Sequence, residues 1–138
     1  VIDVQITVQA LDSQVRQKLI DAGYRAFAGI AADHVPQGAD PEPVRWTKLF
    51  FNERPGERRA NIHVRIDGNP NQHYPLLFRD YLRAHPNSAR TVELIKRELA
   101  ARHGDDMDSY YAIKDPVYDL IWEAAQEWSR YTNWQPAP

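Results

Sequence analysis

Apolar and polar residues alternate over residues 1–8, and this is the pattern of a half-buried β-strand. One face of the predicted strand is aliphatic, with Ile2, Val4, Ile6 and Val8. The other face carries Asp3, Gln5 and Thr7. Because the chain opens inside this strand and without Met, we expect it to be a fragment of a longer protein.

Two further alternating stretches, residues 44–51 and residues 60–67, predict a pair of strands. The segment between them contains Pro55-Gly56, a turn signal, so the pair is predicted to form an antiparallel hairpin. In the second strand the apolar face is Ile62, Val64 and Ile66, and the polar face is Asn61, His63, Arg65 and Asp67.

Helical spacing of apolar residues predicts a short helix after the first strand and several helices after the hairpin. The first helix has Asp12 or Ser13 as its N-cap and ends at Gly23. The later helices are predicted over residues 74–84, 87–103 and 108–114 and from Asp115-Pro116 through Trp128, before a tail over residues 131–138.

Residues 29–43 show little periodicity and are rich in Gly, Pro, Ala and Asp, so they predict a long loop that is either functional or disordered. The element order predicts an α+β fold with a small mixed sheet flanked by several helices. We expect one domain over residues 1–138, because the sequence shows no internal repeat and no segment that indicates a second domain.

Composition limits the classes of function. The 138 residues are 43% hydrophobic and 26% charged, with a net charge of −2, as in an ordinary soluble domain. Without a basic excess, general binding to nucleic acid is not expected, although a local basic pocket remains open. There is no Cys, so a disulfide and a thiolate zinc site are excluded. No apolar run is long enough for a membrane span, so we expect a cytoplasmic protein that contacts no membrane.

Asp3 and Gln5 share one face of the first strand. A pair of carboxylates at this spacing would chelate Mg²⁺ and hold nucleotide phosphates. Gln5 is neutral and offers a carbonyl ligand without charge, so Asp3 is the candidate metal ligand. The alternative is that Asp3 is a structural acid that accepts hydrogen bonds near a strand end.

His63 and Arg65 share the polar face of the second hairpin strand, and Lys48 lies on its neighbour. If the pairing register brings them together, they form a small electropositive face that suits an anionic ligand. The alternative for His63 is a structural or half-exposed side chain.

Arg79 and Asp80 stand in the most densely charged part of an otherwise apolar helix. Arg79 is a candidate phosphate ligand, and Asp80 is a candidate for orienting it. Lys96 and Lys114 are candidates of the same kind. For all four residues, an ordinary solvated helix face is the alternative.

Four segments of the chain together resemble the GrpB family. They are residues 61–65 (Asn-Ile-His-Val-Arg), 77–86 (Leu-Phe-Arg-Asp-Tyr-Leu-Arg-Ala-His-Pro), 95–100 (Ile-Lys-Arg-Glu-Leu-Ala) and 111–114 (Tyr-Ala-Ile-Lys). Residues 66–72 and the end of the chain resemble a subgroup that is fused behind a dephospho-coenzyme A kinase.

The resemblance implies a nucleotidyltransferase-like fold. Family members usually carry a Gly-Ser motif, which in active nucleotidyltransferases holds the triphosphate, upstream of the position that matches Asp3. The position of the second metal-binding carboxylate is Gln5 here, and the third-strand position is His63. The resemblance therefore implies an anion or nucleotide pocket rather than standard metal-dependent transfer. Its motif positions are Asp3, His63, Arg65, Arg79, Asp80, Lys96 and Lys114.

Three hypotheses follow. In the first, the chain is the C-terminal accessory or nucleotide-binding module of a dephospho-coenzyme A kinase and is covalently linked to the kinase domain. This module is not expected to be catalytic by itself, because it lacks a Gly-rich loop that cradles phosphate. In the second, it is a stand-alone nucleotidyltransferase that uses Asp3 to hold Mg²⁺ and Arg79 and Lys114 to hold the phosphates of a nucleotide. In the third, it is a scaffold with a vestigial site.

Overall fold

The computed structural model describes residues 1–136, so the last two residues of the predicted C-terminal tail, Ala137 and Pro138, lie outside it. The chain forms two compact units. The first unit comprises Val1–Val35 and Asp40–His73. The second comprises Pro36–Ala39 and the chain from Tyr74 onward.

The first unit is built on a four-stranded sheet in the order β1-β4-β3-β2. Its strands are β1 (Ile2–Val8), β2 (Arg25–Ala26), β3 (Leu49–Asn52) and β4 (Ala60–Ile66). β1 runs parallel to β4, whereas β3 is antiparallel to both β4 and β2. This mixed sheet with its helices confirms the predicted α+β class, and the pairing of β3 with β4 confirms the hairpin.

The apolar face of the sheet packs on helix α1 (Ser13–Asp21). Phe51, Ile62 and Val64 are buried, and Val15 and Leu19 of the helix contact them. The predicted N-cap is confirmed, whereas the C-cap is Ala22, one residue before the predicted Gly23. Asp12 is the N-cap and accepts a hydrogen bond from the backbone N–H of Val15 at 2.8 Å. Gly23 follows the last turn with φ of +91°, a backbone conformation that glycine adopts without steric cost.

The strand predicted over residues 44–51 is wrong in its first half. Pro43–Trp46 forms a 3₁₀ turn, and strand β3 begins only at Leu49. Proline fixes φ near the helical value, which favours a helical turn at the first position. Thr47 forms an isolated antiparallel bridge with Ala32, so part of the 29–43 loop is held along the sheet.

The second unit is helical. Helix α2 (Pro70–Ala84) starts in the first unit and continues into the second, where α3 (Pro86–His103) and α4 (Met107–Thr132) follow. Leu77, Trp122 and Ala125 form the buried core of this unit, surrounded by further aromatic side chains. None of the helices within residues 1–136 combines the length and the apolarity that a membrane span requires.

The two helices predicted over residues 108–114 and from Asp115 onward are one continuous helix, α4, with Pro116 in its interior. A proline at this position removes one backbone hydrogen bond but does not by itself end a helix whose apolar face remains packed. The helix starts at the N-cap Asp106 and closes at Asn133, whose φ is 51°.

Candidate functional site

The strand register aligns the polar residues of β1 and β4 on one face of the sheet. Gln5 of β1 is paired with His63 of β4, and His63 is paired with Phe50 of β3. Two residues further along the same strands, Thr7 of β1 is paired with Arg65 of β4. The side chain of Lys48, which directly precedes β3, reaches the same face. We call this surface the polar face.

Asp33, from the 29–43 loop, is the acid at the centre of the polar face. Its Oδ1 lies 2.6 Å from Lys48 Nζ and accepts a hydrogen bond from Arg65 Nη2 at 2.9 Å. Its Oδ2 accepts from Arg65 Nε at 2.9 Å and from Asn71 Nδ2 at 3.1 Å. Four donors therefore converge on one carboxylate, and they hold this part of the loop against the sheet.

This environment keeps Asp33 ionised. Burial raises the pKa of its carboxyl, but the hydrogen bond and charge of Arg65, together with those of Lys48, outweigh burial and lower the pKa to about 2. Lys48 and Arg65 are themselves each 7% exposed. Lys48, Arg65 and Asp33 thus place two cations next to one anion.

His63 lies between these cations and the edge of the sheet. Its Nδ1 is 3.2 Å from Lys48 Nζ and 3.2 Å from Arg65 Nη2, and its ring contacts Phe50 edge to face at a centroid distance of 5.0 Å. Burial lowers the pKa of His63 to about 4, with the charges of Arg65 and Lys48 acting in the same direction. The imidazole is therefore neutral at physiological pH.

The polar face is open at the end where Asp3 lies. The side chain of Asp3 is 72% exposed, that of His63 is 19% exposed and that of Arg65 is 8% exposed. Asp3 Oδ1 accepts a hydrogen bond from Asn61 Nδ2 at 3.0 Å and lies 4.0 Å from His63 Nε2. A ligand that enters from solvent meets these groups before it meets the buried cations.

The side chains around Asp3 do not fit Mg²⁺. The carbonyl oxygen of Gln5, the second oxygen ligand that this strand offers, accepts a hydrogen bond from Arg65 Nη1 at 2.8 Å. Proteins hold Mg²⁺ mainly through carboxylate oxygens, and fixed cations nearby lower its affinity. Among residues 1–136, no group of three or more His, Cys, Asp or Glu side chains is arranged to hold a metal ion.

The candidates Arg79 and Asp80 lie in the second unit and pair with each other. Arg79 Nε donates to Asp80 Oδ1 at 2.7 Å, and Trp134 Nε1 donates to Asp80 Oδ2 at 3.1 Å. Arg83 lies 3.6 Å from the same carboxylate. The side chain of Arg79 is 41% exposed, and its role in phosphate binding stays a prediction.

The candidates Lys96 and Lys114 also belong to the second unit. Lys96 lines a shallow surface groove between α3 and Tyr110. Lys114 Nζ lies 2.9 Å from the carboxylate of Asp115 and 4.1 Å from the centre of the Tyr118 ring. Both lysines therefore make their contacts within the second unit. The role of Lys96 and Lys114 in binding phosphate likewise stays a prediction.

The structure thus brings together four of the predicted site residues, and sequence reasoning missed two others. Asp3, Lys48, His63 and Arg65 lie on one face of the sheet, and their role in binding an anion stays a prediction. Asp33 and Asn71 were missed. Asp33 is one acid in an aperiodic loop, and the only available signal was that a loop of this length is often functional.

The fold and the site define a class of protein: an α+β domain whose small mixed sheet carries a buried cationic cluster on one face. A family model described as GrpB protein matches residues 1–124. The chain therefore belongs to the GrpB family, and the resemblance seen in the sequence is confirmed. The crystal structure of the conserved protein GrpB from Enterococcus faecalis shares this fold, with a TM-score of 0.64 at 22% identity over 94% of this chain and 70% of that one.

Curated relatives extend the comparison. The chain is 33% identical to a dephospho-CoA kinase of Mycolicibacterium paratuberculosis over 99% of its own length and 36% of the relative's. It is 32% identical to the UPF0157 protein YqkA of Bacillus subtilis, covering 96% of this chain and 36% of that protein. A UPF0157 protein of Deinococcus radiodurans is 36% identical over 78% of the chain. The chain thus spans about a third of the length of the first two of these relatives.

Proposed function

We propose that this chain is an accessory module of a dephospho-CoA kinase that binds a nucleotide or another phosphorylated small molecule on the polar face, and that it does not itself catalyse phosphoryl transfer. One observation carries the proposal. Lys48 and Arg65 are buried together and share one carboxylate, that of Asp33, whose side chain is 17% exposed.

The charge balance favours an anionic ligand. Lys48 and Arg65 place two cations beside the carboxylate of Asp33, and the neighbouring His63 is neutral. These cations attract a ligand anion, and the attraction is strengthened where water is excluded. Asp3 adds a negative charge at the open end, but its side chain is mostly exposed to solvent.

The position of Asp3 indicates where a ligand oxygen would bind. Its Oδ1 already accepts from Asn61 and faces His63 Nε2, so it occupies the place that a phosphoryl oxygen would take. A ligand anion must therefore compete with the Asp3 carboxylate. Neutralising Asp3 should strengthen binding, whereas a metal-holding Asp3 predicts the opposite.

Phosphoryl transfer itself is assigned to the part of the kinase relatives that this chain does not match. No Gly-rich loop followed by Lys and Ser or Thr occurs in the 138 residues, so backbone amides and a lysine for cradling ATP phosphates are lacking. The link to a kinase is supported by the matching region of relatives named dephospho-CoA kinase.

Calorimetry with ATP, CTP and dephospho-coenzyme A tests this proposal, with each ligand titrated in Mg²⁺ and in EDTA. The variants are Asp3→Asn and, as a control for the change of charge, Asp67→Asn, an exposed acid just beyond β4. We expect binding without Mg²⁺ that is several-fold tighter in Asp3→Asn and unchanged in Asp67→Asn. Binding that requires Mg²⁺ and disappears in Asp3→Asn would support a nucleotidyltransferase, and no binding at millimolar ligand would support a scaffold.

A further inference from the structure

Two cations meet at one nitrogen of His63. Lys48 Nζ and Arg65 Nη2 each lie 3.2 Å from Nδ1. Ammonium and guanidinium groups have hydrogens to donate and no lone pair to accept with. Nδ1 must therefore be the acceptor in both contacts, and in a neutral imidazole the proton is then on Nε2.

We propose that Lys48 and Arg65 fix His63 in the Nε2–H tautomer, and that the polar face recognises a phosphoryl oxygen directly through this N–H without a bridging metal ion. The inference rests on the proposed function and names the contact by which the ligand is recognised. Lys48 and Arg65 are positioning residues in this arrangement, and His63 touches the ligand.

The other polar groups around His63 are already engaged in ways that leave Nε2–H facing outward. Asp33 is paired with Lys48 and Arg65. Gln5 accepts from Arg65 through Oε1 and donates through Nε2 to the Gln72 carbonyl at 3.0 Å. On the Nε2 side, Asp3 Oδ1 lies 4.0 Å away, at the open end of the polar face.

The charged groups that face His63 also keep the ring neutral. Arg65 of β4 and Lys48 beside β3 disfavour its protonation, whereas Asp33 of the loop and Asp3 of β1 favour it. Burial adds to the effect of the two cations, and the pKa falls to about 4. The ring therefore carries its proton on Nε2 at both pH 6 and pH 8, and at both pH values this N–H can donate to an acceptor.

This tautomer determines which ligands His63 can bind. A metal ion needs a free lone pair on a ring nitrogen. Nε2 carries the proton, and Nδ1 is faced by two cations that repel a divalent ion. A phosphoryl oxygen, which is anionic and only accepts, matches the exposed N–H and is attracted by the buried cations.

The tautomer can be measured without any ligand. Long-range ¹H–¹⁵N correlation spectra of the free protein should show His63 as the Nε2–H form from pH 6 to pH 8. Lys48→Met should move its ring nitrogen shifts toward a mixture of tautomers, and Lys18→Met, an exposed lysine of α1, should leave them unchanged. A dominant Nδ1–H form in the wild-type protein would overturn the inference.

Binding of inorganic pyrophosphate and of ATP in EDTA then tests the contact. We expect His63→Met to weaken binding about tenfold, as loss of a hydrogen bond to a charged group does. His63→Gln keeps an amide N–H near the position of Nε2 and should recover most of the affinity, which distinguishes loss of the donor from loss of the fold.

The failure of this inference can be told from the failure of the proposed function. If the wild-type protein binds none of pyrophosphate, ATP, CTP and dephospho-coenzyme A, both are overturned, even with the expected tautomer. If it binds any of these ligands and His63→Met binds that ligand equally well, with an unchanged far-ultraviolet spectrum, the proposed function stands and the inference falls.

Discussion

Asp33 Oδ1 lies 2.6 Å from Lys48 Nζ, and this pair connects the 29–43 loop with the polar face of the sheet. The same carboxylate is bound by Arg65 and Asn71. A single loop acid thereby pairs with both buried cations that carry the proposed function.

Removing the charge of Asp33 should destabilise the protein. In Asp33→Asn the buried cations lose their shared counter-ion, and breaking a buried pair from one side typically costs about 3 kcal/mol in free energy of unfolding. Urea denaturation at pH 7 measures this loss. Asp67→Asn, an exposed acid, is the matched control and should stay within about 0.5 kcal/mol of wild type. Equal stability of Asp33→Asn and wild type would contradict the prediction.

Asp33 should also contribute to stability in an acid-dependent way. Its folded pKa of about 2 lies below the ordinary value of 3.8, so its contribution is fully present above pH 4 and is lost as the pH falls toward 2. The shift corresponds to about 2 kcal/mol. The difference in unfolding free energy between wild type and Asp33→Asn should therefore shrink by that amount between pH 4 and pH 2. A constant difference would argue against the ion pairs.

His63 should destabilise the fold at mildly acidic pH. Its folded pKa of about 4 lies below the ordinary value of 6.5, so as the pH falls the unfolded chain binds this proton first. The wild type should lose roughly 3 kcal/mol between pH 6.5 and pH 4 relative to His63→Gln, which cannot titrate there. Chemical denaturation of both proteins at several pH values measures this loss, and a difference that does not change with pH would contradict the prediction.

Asn71 should matter for stability more than its place at the start of a helix suggests. Its side chain is 1% exposed, and its Nδ2 donates to Asp33 Oδ2 and to the Thr47 carbonyl at 2.9 Å. Asn71→Ala leaves both acceptors short of a donor and should cost about 1 to 3 kcal/mol in thermal or urea unfolding. Asn87→Ala, at an exposed position of α3, should cost little by comparison.

Replacing Pro116 should stabilise α4. Alanine restores the backbone N–H that proline lacks in a helix interior, and we expect a gain of about 1 kcal/mol after the greater freedom of the unfolded chain is counted. Pro86→Ala is the matched control, because Pro86 stands in the first turn of α3, where proline is favourable. A loss of stability in Pro116→Ala would show that the ring makes contacts the helix needs.

Several local elements of the fold could be predicted because their causes are local. Alternation in residues 1–8 and 60–67 identified the strands, and Asp12 and Gly23 identified the ends of α1. Where two local tendencies conflicted, the prediction failed. Pro43 turned the start of an expected strand into a 3₁₀ turn, and Pro116 did not break a helix whose apolar face is packed.

The site divides in the same way. The sequence by itself determined that His63 and Arg65 share a strand face, since the period of two in a strand requires it. It left Lys48 as a candidate whose register was unknown. Only the tertiary structure decided that Lys48 meets them and that Asp33 lies between the two cations. These contacts depend on strand pairing and loop closure across separations of 15 to 32 residues, which no local pattern encodes.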